Sequence, residues 1–180
     1  MVEEAQLEET QSGLVPAGNG WFVVNARDAR WTTGDPFGAA CPFEGPAWFG
    51  QLGIKLSVLQ PGQPNCLYHR EAQQEDFLVL AGECLLLVEG QERQLRAWDF
   101  VHCPPDTEHV FVGAGESPCV ILMAGARSED EGLFFPVSEV ARRYGASVEQ
   151  ETGSGDEAYA QGFPGREAAR PGSWSELPWA

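Results

Sequence analysis

Residues 75–96 read EDFLVLAGECLLLVEGQERQLR. Two short apolar runs, FLVLA and CLLLV, are parted by Gly82 and Glu83, and the second runs into Glu89-Gly90-Gln91-Glu92, where Gly90 can take the positive φ of a tight hairpin turn. The same pattern extends to both sides: NCLYHRE (65–71), DFVHCPP (99–105), EHVFVG (108–113) and PCVILMAGAR (118–127) are runs of Val, Leu, Ile, Phe and Cys. Breaks of Gly, Pro or paired charges recur at intervals of roughly 8 to 12 residues, which predicts an all-β sandwich or barrel.

Upstream, GQLGIKLSVLQPG (50–62) alternates Leu52, Ile54, Leu56 and Val58 with Gly53, Lys55 and Ser57, so it predicts a strand with one buried face. WFVVN (21–25) also has strand character. Between them WTTGDPFGAACPFEGPAWFG (31–50) is rich in Gly, Pro and aromatic residues; it reads as an irregular connector packed by its rings, or as a cover for a pocket mouth. Past Arg127 the period changes, and PVSEVARRYGAS (136–147) predicts a two-turn helix that starts near Pro136 or Ser138, stops at Gly145 and caps the sheet. The expected layout is a flexible acidic arm over 1–20, a barrel over 21–127, and a helix with a docking tail over 128–180. Tyr159, Phe163, Trp174 and Trp179 give that tail apolar anchors for its own barrel or for a second chain.

A chain of 180 residues suits one domain with tails. Its 27 acidic and 11 basic side chains give a formal charge of −16, which repels nucleic-acid phosphates and anionic membrane surfaces, so neither is an expected partner. The acids crowd into VEEAQLEE (2–9) and EQETGSGDE (149–157), which read as solvated segments. The five cysteines show no C-x-x-C spacing and read as reduced thiols, Cys66 and Cys103 as small hydrophobes. No basic-then-apolar leader opens the sequence, and its apolar runs fall far below the roughly 20 residues of a membrane helix, so a cytoplasmic protein is expected.

The three histidines, His69, His102 and His109, all fall in the strand-rich middle. On a strand His69 and Glu71 leave the same face about 7 Å apart. Glu75 follows across the turn-length AQQ and can open the next strand toward the same point, while His109 returns after CPPDTE. His102 reads as a surface or supporting histidine, and Tyr68 and Arg70 as packing or surface groups opposite His69.

This layout resembles that of the cupins. Pro61-Gly62, His69, Arg70, Glu71, three residues, Glu75, six residues and Gly82 resemble the first motif of that family, G-x5-H-x-H-x3/4-E-x6-G. Trp98, Asp99, Pro104, Asp106 and His109 hold the places of the second, G-x5-P-x-G-x2-H. The resemblance covers about residues 50–125. Glu71 stands where the family has a histidine, and Trp98 and Asp106 where glycines are usual.

The resemblance implies a jelly-roll β-barrel, a homodimer, and a divalent metal held by His69, Glu71, Glu75 and His109. Imidazole with carboxylate suits Fe, Mn, Zn or Ni. Three functions stay open: a metal-dependent oxygenase, isomerase or lyase acting on a small organic molecule; a non-catalytic module that binds a small ligand; and a metal-free acid–base isomerase or epimerase using His69 or His109 with Glu75.

Overall fold

The computed structural model describes residues 1–128, 132–160 and 166–179. Strands form on the apolar runs from residue 52 to 126, and also on the polar stretches QLEET, TTG and QERQLR. In chain order they are β1 (Gln6–Thr10), β2 (Gly13–Ala17), β3 (Thr32–Gly34), β4 (Phe37–Cys41), β5 (Leu52–Leu59), β6 (Glu75–Ala81), β7 (Glu83–Val88), β8 (Gln91–Arg96), β9 (Phe100–Cys103), β10 (His109–Ala114) and β11 (Cys119–Ala126). Six of them make one antiparallel sheet in the order β3-β4-β5-β11-β6-β9, and three make a second in the order β10-β7-β8. The fold is all-β, a jelly-roll barrel of two facing sheets.

Gly90 takes φ 71° and Glu89 φ 48°, so the EGQE turn joins β7 to β8 as its composition requires. Gly82, at φ 71°, lies against the Pro118 carbonyl, which a side chain there would strike. The barrel interior is filled from both sheets by Leu59, Phe77, Val79, Leu86, Phe111, Ile121 and Met123.

Strand β5 departs from the single buried face expected of it. Leu56 and Val58 face outward, yet they are buried beneath Trp31, Trp174, Leu177 and Trp179. Its other face, carrying Lys55, Ser57 and Leu59, pairs with Met123, Ile121 and Cys119 of β11 and looks into the barrel. The tail therefore docks on its own barrel: Trp174 and Trp179 stack or meet edge-on with Trp31.

Four other expectations change. The first 20 residues, expected as a flexible arm, carry the β1–β2 hairpin, tied to the body through Leu14 N–H to Asp28 carbonyl and Arg30 N–H to Leu14 carbonyl. WFVVN forms no strand; only Trp21 bridges, to Glu4. The first half of 31–50, expected to be irregular, supplies β3 and β4. The capping helix, α1 (Glu139–Arg142), is one turn long rather than two, with the Ser138 hydroxyl accepting from Ala141 N–H and Gly145 at φ 67° beyond its end. It packs Ala141 against Tyr68, Leu87, Val110 and Val112. A second short helix, α2 (Gly155–Tyr159), follows, and Phe163 lies outside the described residues.

Candidate metal centre at the barrel mouth

His69 is held by an isolated bridge rather than a strand. Its N–H donates to the His109 carbonyl at 3.2 Å, and the His109 N–H donates to the His69 carbonyl at 2.8 Å. Residues that exchange both backbone bonds sit directly opposite and point their side chains to one face. The two rings accordingly lie 5.1 Å apart. Glu75 opens β6 and pairs with Cys103 and Gly125, so its carboxylate enters from the neighbouring strand. Ligand-type atoms of His69, Glu75 and His109 all lie within 4.8 Å of one another.

The tautomers follow from the backbone. His69 Nδ1 is 2.8 Å from the Leu67 carbonyl and His109 Nδ1 is 3.0 Å from that of Thr107. A carbonyl only accepts, so each Nδ1 carries the proton and each neutral ring turns its Nε2 lone pair inward. Those lone pairs meet carboxylates: His109 Nε2 stands 3.3 Å from Glu75 Oε2, and His69 Nε2 stands 3.7 Å from Glu71 Oε1. Lone pair facing anion is repulsive unless a proton or a metal cation sits between them.

The electrostatics of the metal-free site answer this with protons. Burial pushes the Glu75 carboxyl up to about 7, with the Glu71 charge adding to the shift. His109, pressed by burial and by the His69 charge, falls to about 4. Burial also opposes a charge on His69, but Cys66, Glu71 and Glu75 outweigh it and raise that imidazole well above its usual value. Glu71, hydrogen-bonded to His69, is lowered. Near neutral pH the cluster thus keeps one proton on the His69–Glu71 pair and shares another at Glu75.

Phe77 and Phe111 flank His109, with ring centroids at 5.2 and 6.2 Å, and Phe135 lies 5.9 Å from His69. These apolar walls strengthen the electrostatics of the site. Above it opens a cavity of about 190 Å³ lined by Glu71, Glu75, Lys55, Met123, Trp48 and Arg127, among others. Arg127 lies across Gly53, where a side chain would strike its guanidinium. It holds the connector by a forked pair to Glu44 at 2.6 and 2.9 Å, by the Phe49 carbonyl at 2.9 Å, and by the Trp48 ring at 4.8 Å. The second half of 31–50 therefore does cover a pocket mouth. A larger cavity, about 430 Å³ and lined by Thr33, Asp35, Gln60 and Arg170 among others, shares no lining residue with the histidine cluster.

Of the four residues expected at the site, the structure groups three, and Glu71 sits at the rim beside His69. His102 is on the outer surface, its Nδ1 2.7 Å from Asp76 Oδ1. Cys103 faces the core, and burial with the Glu75 charge pushes its thiol up to about 12, so it is no nucleophile. Lys55, Glu44, Trp48 and Arg127 join the site without having been expected there. The alternation of Lys55 and Ser57 with Leu56 and Val58 marked two faces on β5, but it assigned the polar one to solvent.

The two sheets and the histidine–carboxylate cluster at one mouth define a barrel of the cupin class. Residues 55–125 match the family model described as Cupin domain, and the chain carries a small cupin domain. Cupins often hold divalent metals, and the donor set here, two inward Nε2 lone pairs with a carboxylate, fits one. No curated protein matches the chain.

Among solved structures it is similar to a candidate sugar phosphate isomerase from Acidithiobacillus ferrooxidans (27% identity, TM-score 0.44, 46% of this chain and 55% of that one). It is also similar to a sugar phosphate isomerase from Silicibacter pomeroyi (25%, 0.46, 50% and 59%). A polyketide cyclase from Streptomyces resistomycificus shares the fold at 15% identity and TM-score 0.51, covering 61% of this chain and 89% of that one. The match thus spans somewhat over half the length of the two isomerase structures.

Proposed function

We propose that the protein binds one divalent metal through His69, Glu75 and His109, with Glu71 at the rim, and that it acts on a small organic molecule admitted through the Lys55–Arg127 vestibule. The observation that carries this is the pair of Nε2 lone pairs facing carboxylates while both Nδ1 atoms are tied to the backbone. A divalent ion resolves that repulsion and matches the charge of the protons it displaces. When bound, it supplies Lewis-acid polarisation of a ligand oxygen or a site for redox chemistry, as in oxygenase, isomerase and lyase types. Around it, the backbone carbonyls of Leu67 and Thr107 orient the imidazoles, Phe77 and Phe111 exclude water, and Glu71 can hold a proton at its rim carboxylate.

Elemental analysis of protein purified without chelator is expected to find metal near one equivalent, lost in His109→Ala. Finding none, with no thermal stabilisation by added Fe(II), Mn(II), Ni(II) or Zn(II), would remove this reading. One observation favours a second: a Glu75 carboxyl near 7 beside His109 is poised for acid–base chemistry without metal. Turnover that survives exhaustive chelation and is lost in Glu75→Gln would select it, whereas saturable ligand binding without turnover would indicate a binding module.

A homodimer and a cytoplasmic location belong to the same proposal. Strand β9 is an edge of the large sheet, with Trp98 and Phe100 exposed beside it, and unpaired edges invite a second copy. Light scattering that shows a monomer would refute the dimer. Among the described residues no helix is long and apolar enough to cross a membrane, and all five cysteines are free.

A further inference from the structure

Lys55 does not belong to the ion-pair network that fixes the mouth. It lines the 190 Å³ cavity together with Glu71 and Glu75. Its register with Met123, on the same face as Phe77 and Ile121, aims it inward. Yet no carboxylate among the described residues lies within ion-pair distance of it. The other cation of the vestibule, Arg127, is matched by Glu44. Lys55 is near enough for its charge to act on Glu71, Glu75 and His109.

Charge balance identifies what it is free to hold. In the loaded site the carboxylates of Glu71 and Glu75 match a divalent ion, and Arg127 and Glu44 match each other. The Lys55 charge is left over. One monoanion neutralises it, whereas a phosphate dianion would leave a net negative charge over a floor already carrying two carboxylates. Ile54, Met123 and Trp48 line the rest of the space and suit a short apolar body.

We propose that Lys55 is a specificity-determining residue that anchors the carboxylate of a small monoanionic organic acid, whose other end reaches the His69–Glu75–His109 cluster. This rests on the metal reading above, since the ion is what the acid's other end meets; without it the protons held at His69–Glu71 and Glu75 leave Lys55 as the one contact for an acid.

The test is calorimetric titration of butyrate into Zn(II)-loaded protein, with butyramide and inorganic phosphate as comparison probes and Lys55→Met and Lys55→Glu as variants. Lys55 is exposed on its strand, so both variants are expected to fold. Butyrate should bind the loaded wild type and bind the metal-free protein at least about fivefold more weakly. Lys55→Met should weaken it about fivefold, the upper end of the range for a partly exposed ion pair. Lys55→Glu should abolish it. Zinc content of Lys55→Met should equal that of the wild type, butyramide should not respond to either substitution, and phosphate should bind more weakly than butyrate. Zinc uptake together with no butyrate binding, with affinity indifferent to Lys55→Met, or with tighter binding of phosphate overturns the anchor alone. Failure to take up zinc overturns the metal reading and the anchor with it.

Discussion

Replacing Glu75 by glutamine is expected to make the metal-free protein more stable and the metal-supplemented protein less so. In the folded chain this carboxyl titrates at about 7 rather than 4.5, because burial and the Glu71 charge disfavour its anion. The folded state therefore holds the proton more tightly than the unfolded state. The penalty is absent below the unfolded value, grows as pH rises from about 4.5, and is complete above about 7. A shift of that size corresponds to about 3 kcal/mol, and the side chain is only 15% exposed, so solvent screens little of it. The amide introduced by Glu75→Gln carries no charge and can keep a hydrogen bond to His109, so the variant should gain up to about 3 kcal/mol at about pH 8 and close to nothing at about pH 4.

Excess metal should reverse the ranking. A ligand present at a hundredfold its Kd stabilises by about 2.7 kcal/mol, which the wild type should gain and Glu75→Gln should largely forgo. Urea unfolding followed by tryptophan fluorescence, in chelator and in Zn(II) across this pH range, reads all four combinations. A variant less stable than wild type in chelator at about pH 8, or a difference that does not change with pH, would refute the electrostatic account of the site. Such opposed effects mark a carboxylate kept for binding rather than for folding.

Arg127→Met should cost about 1–3 kcal/mol, because it strands a Glu44 carboxylate that is 12% exposed; a double-mutant cycle with Glu44→Gln should recover much of that as coupling energy. Burial opposes ionisation of Glu44, yet Arg127 holds its carboxyl below the ordinary value, so this contribution is present above about pH 4.5 and fades as the medium becomes more acid than that. A cost independent of pH would show that the forked pair is not its source. Trp98→Gly should be neutral or stabilising by up to about 1 kcal/mol, although it deletes the largest side chain type: Trp98 sits at φ 78° and is 75% exposed, so relief of backbone strain exceeds lost packing. A drop in the urea midpoint of more than about 1 kcal/mol equivalent would contradict this.

Most strands from β5 to β11 were legible as short apolar runs closed by turn residues, Gly82 and Gly90 most clearly, whereas the polar β8, QERQLR, was legible only as the return arm of the EGQE hairpin. His69, Glu75 and His109 were legible as a group through their spacing. What sequence could not show was cover. Leu56 and Val58 look like the core face of a strand, but they face outward under a tail more than a hundred residues away, and only that cover frees the opposite face to carry Lys55 into the cavity. The β1–β2 hairpin was hidden for a related reason: its hold comes from backbone bonds to Asp28 and Arg30 rather than from an apolar pattern of its own. At Trp98 and Asp106, where the motif usually has glycine, the backbone kept its left-handed turns, φ 78° and 67°, without the residue that makes them easy.

Asp106 shows what is gained at one of these turns, and it bears on Glu71. Its N–H donates to the Glu71 carbonyl at 2.7 Å, and its carboxylate takes the Arg70 guanidinium, which also lies over the Phe134 ring at 4.9 Å. The segment bearing Glu71 is thus fixed by contacts that a glycine at 106 could only partly make, and its side chain is held at the rim rather than lost to solvent. A neutral ligand at 71 would leave the loaded site one positive charge richer, and Lys55 would no longer be the only surplus cation. Glu71→His should therefore tighten butyrate binding to the Zn(II)-loaded protein and shrink its dependence on Lys55, while Glu71→Ala should retain one equivalent of metal, because His69, Glu75 and His109 remain. Weaker butyrate binding in Glu71→His, at unchanged metal content, would show that Glu71 sets geometry rather than charge at this mouth.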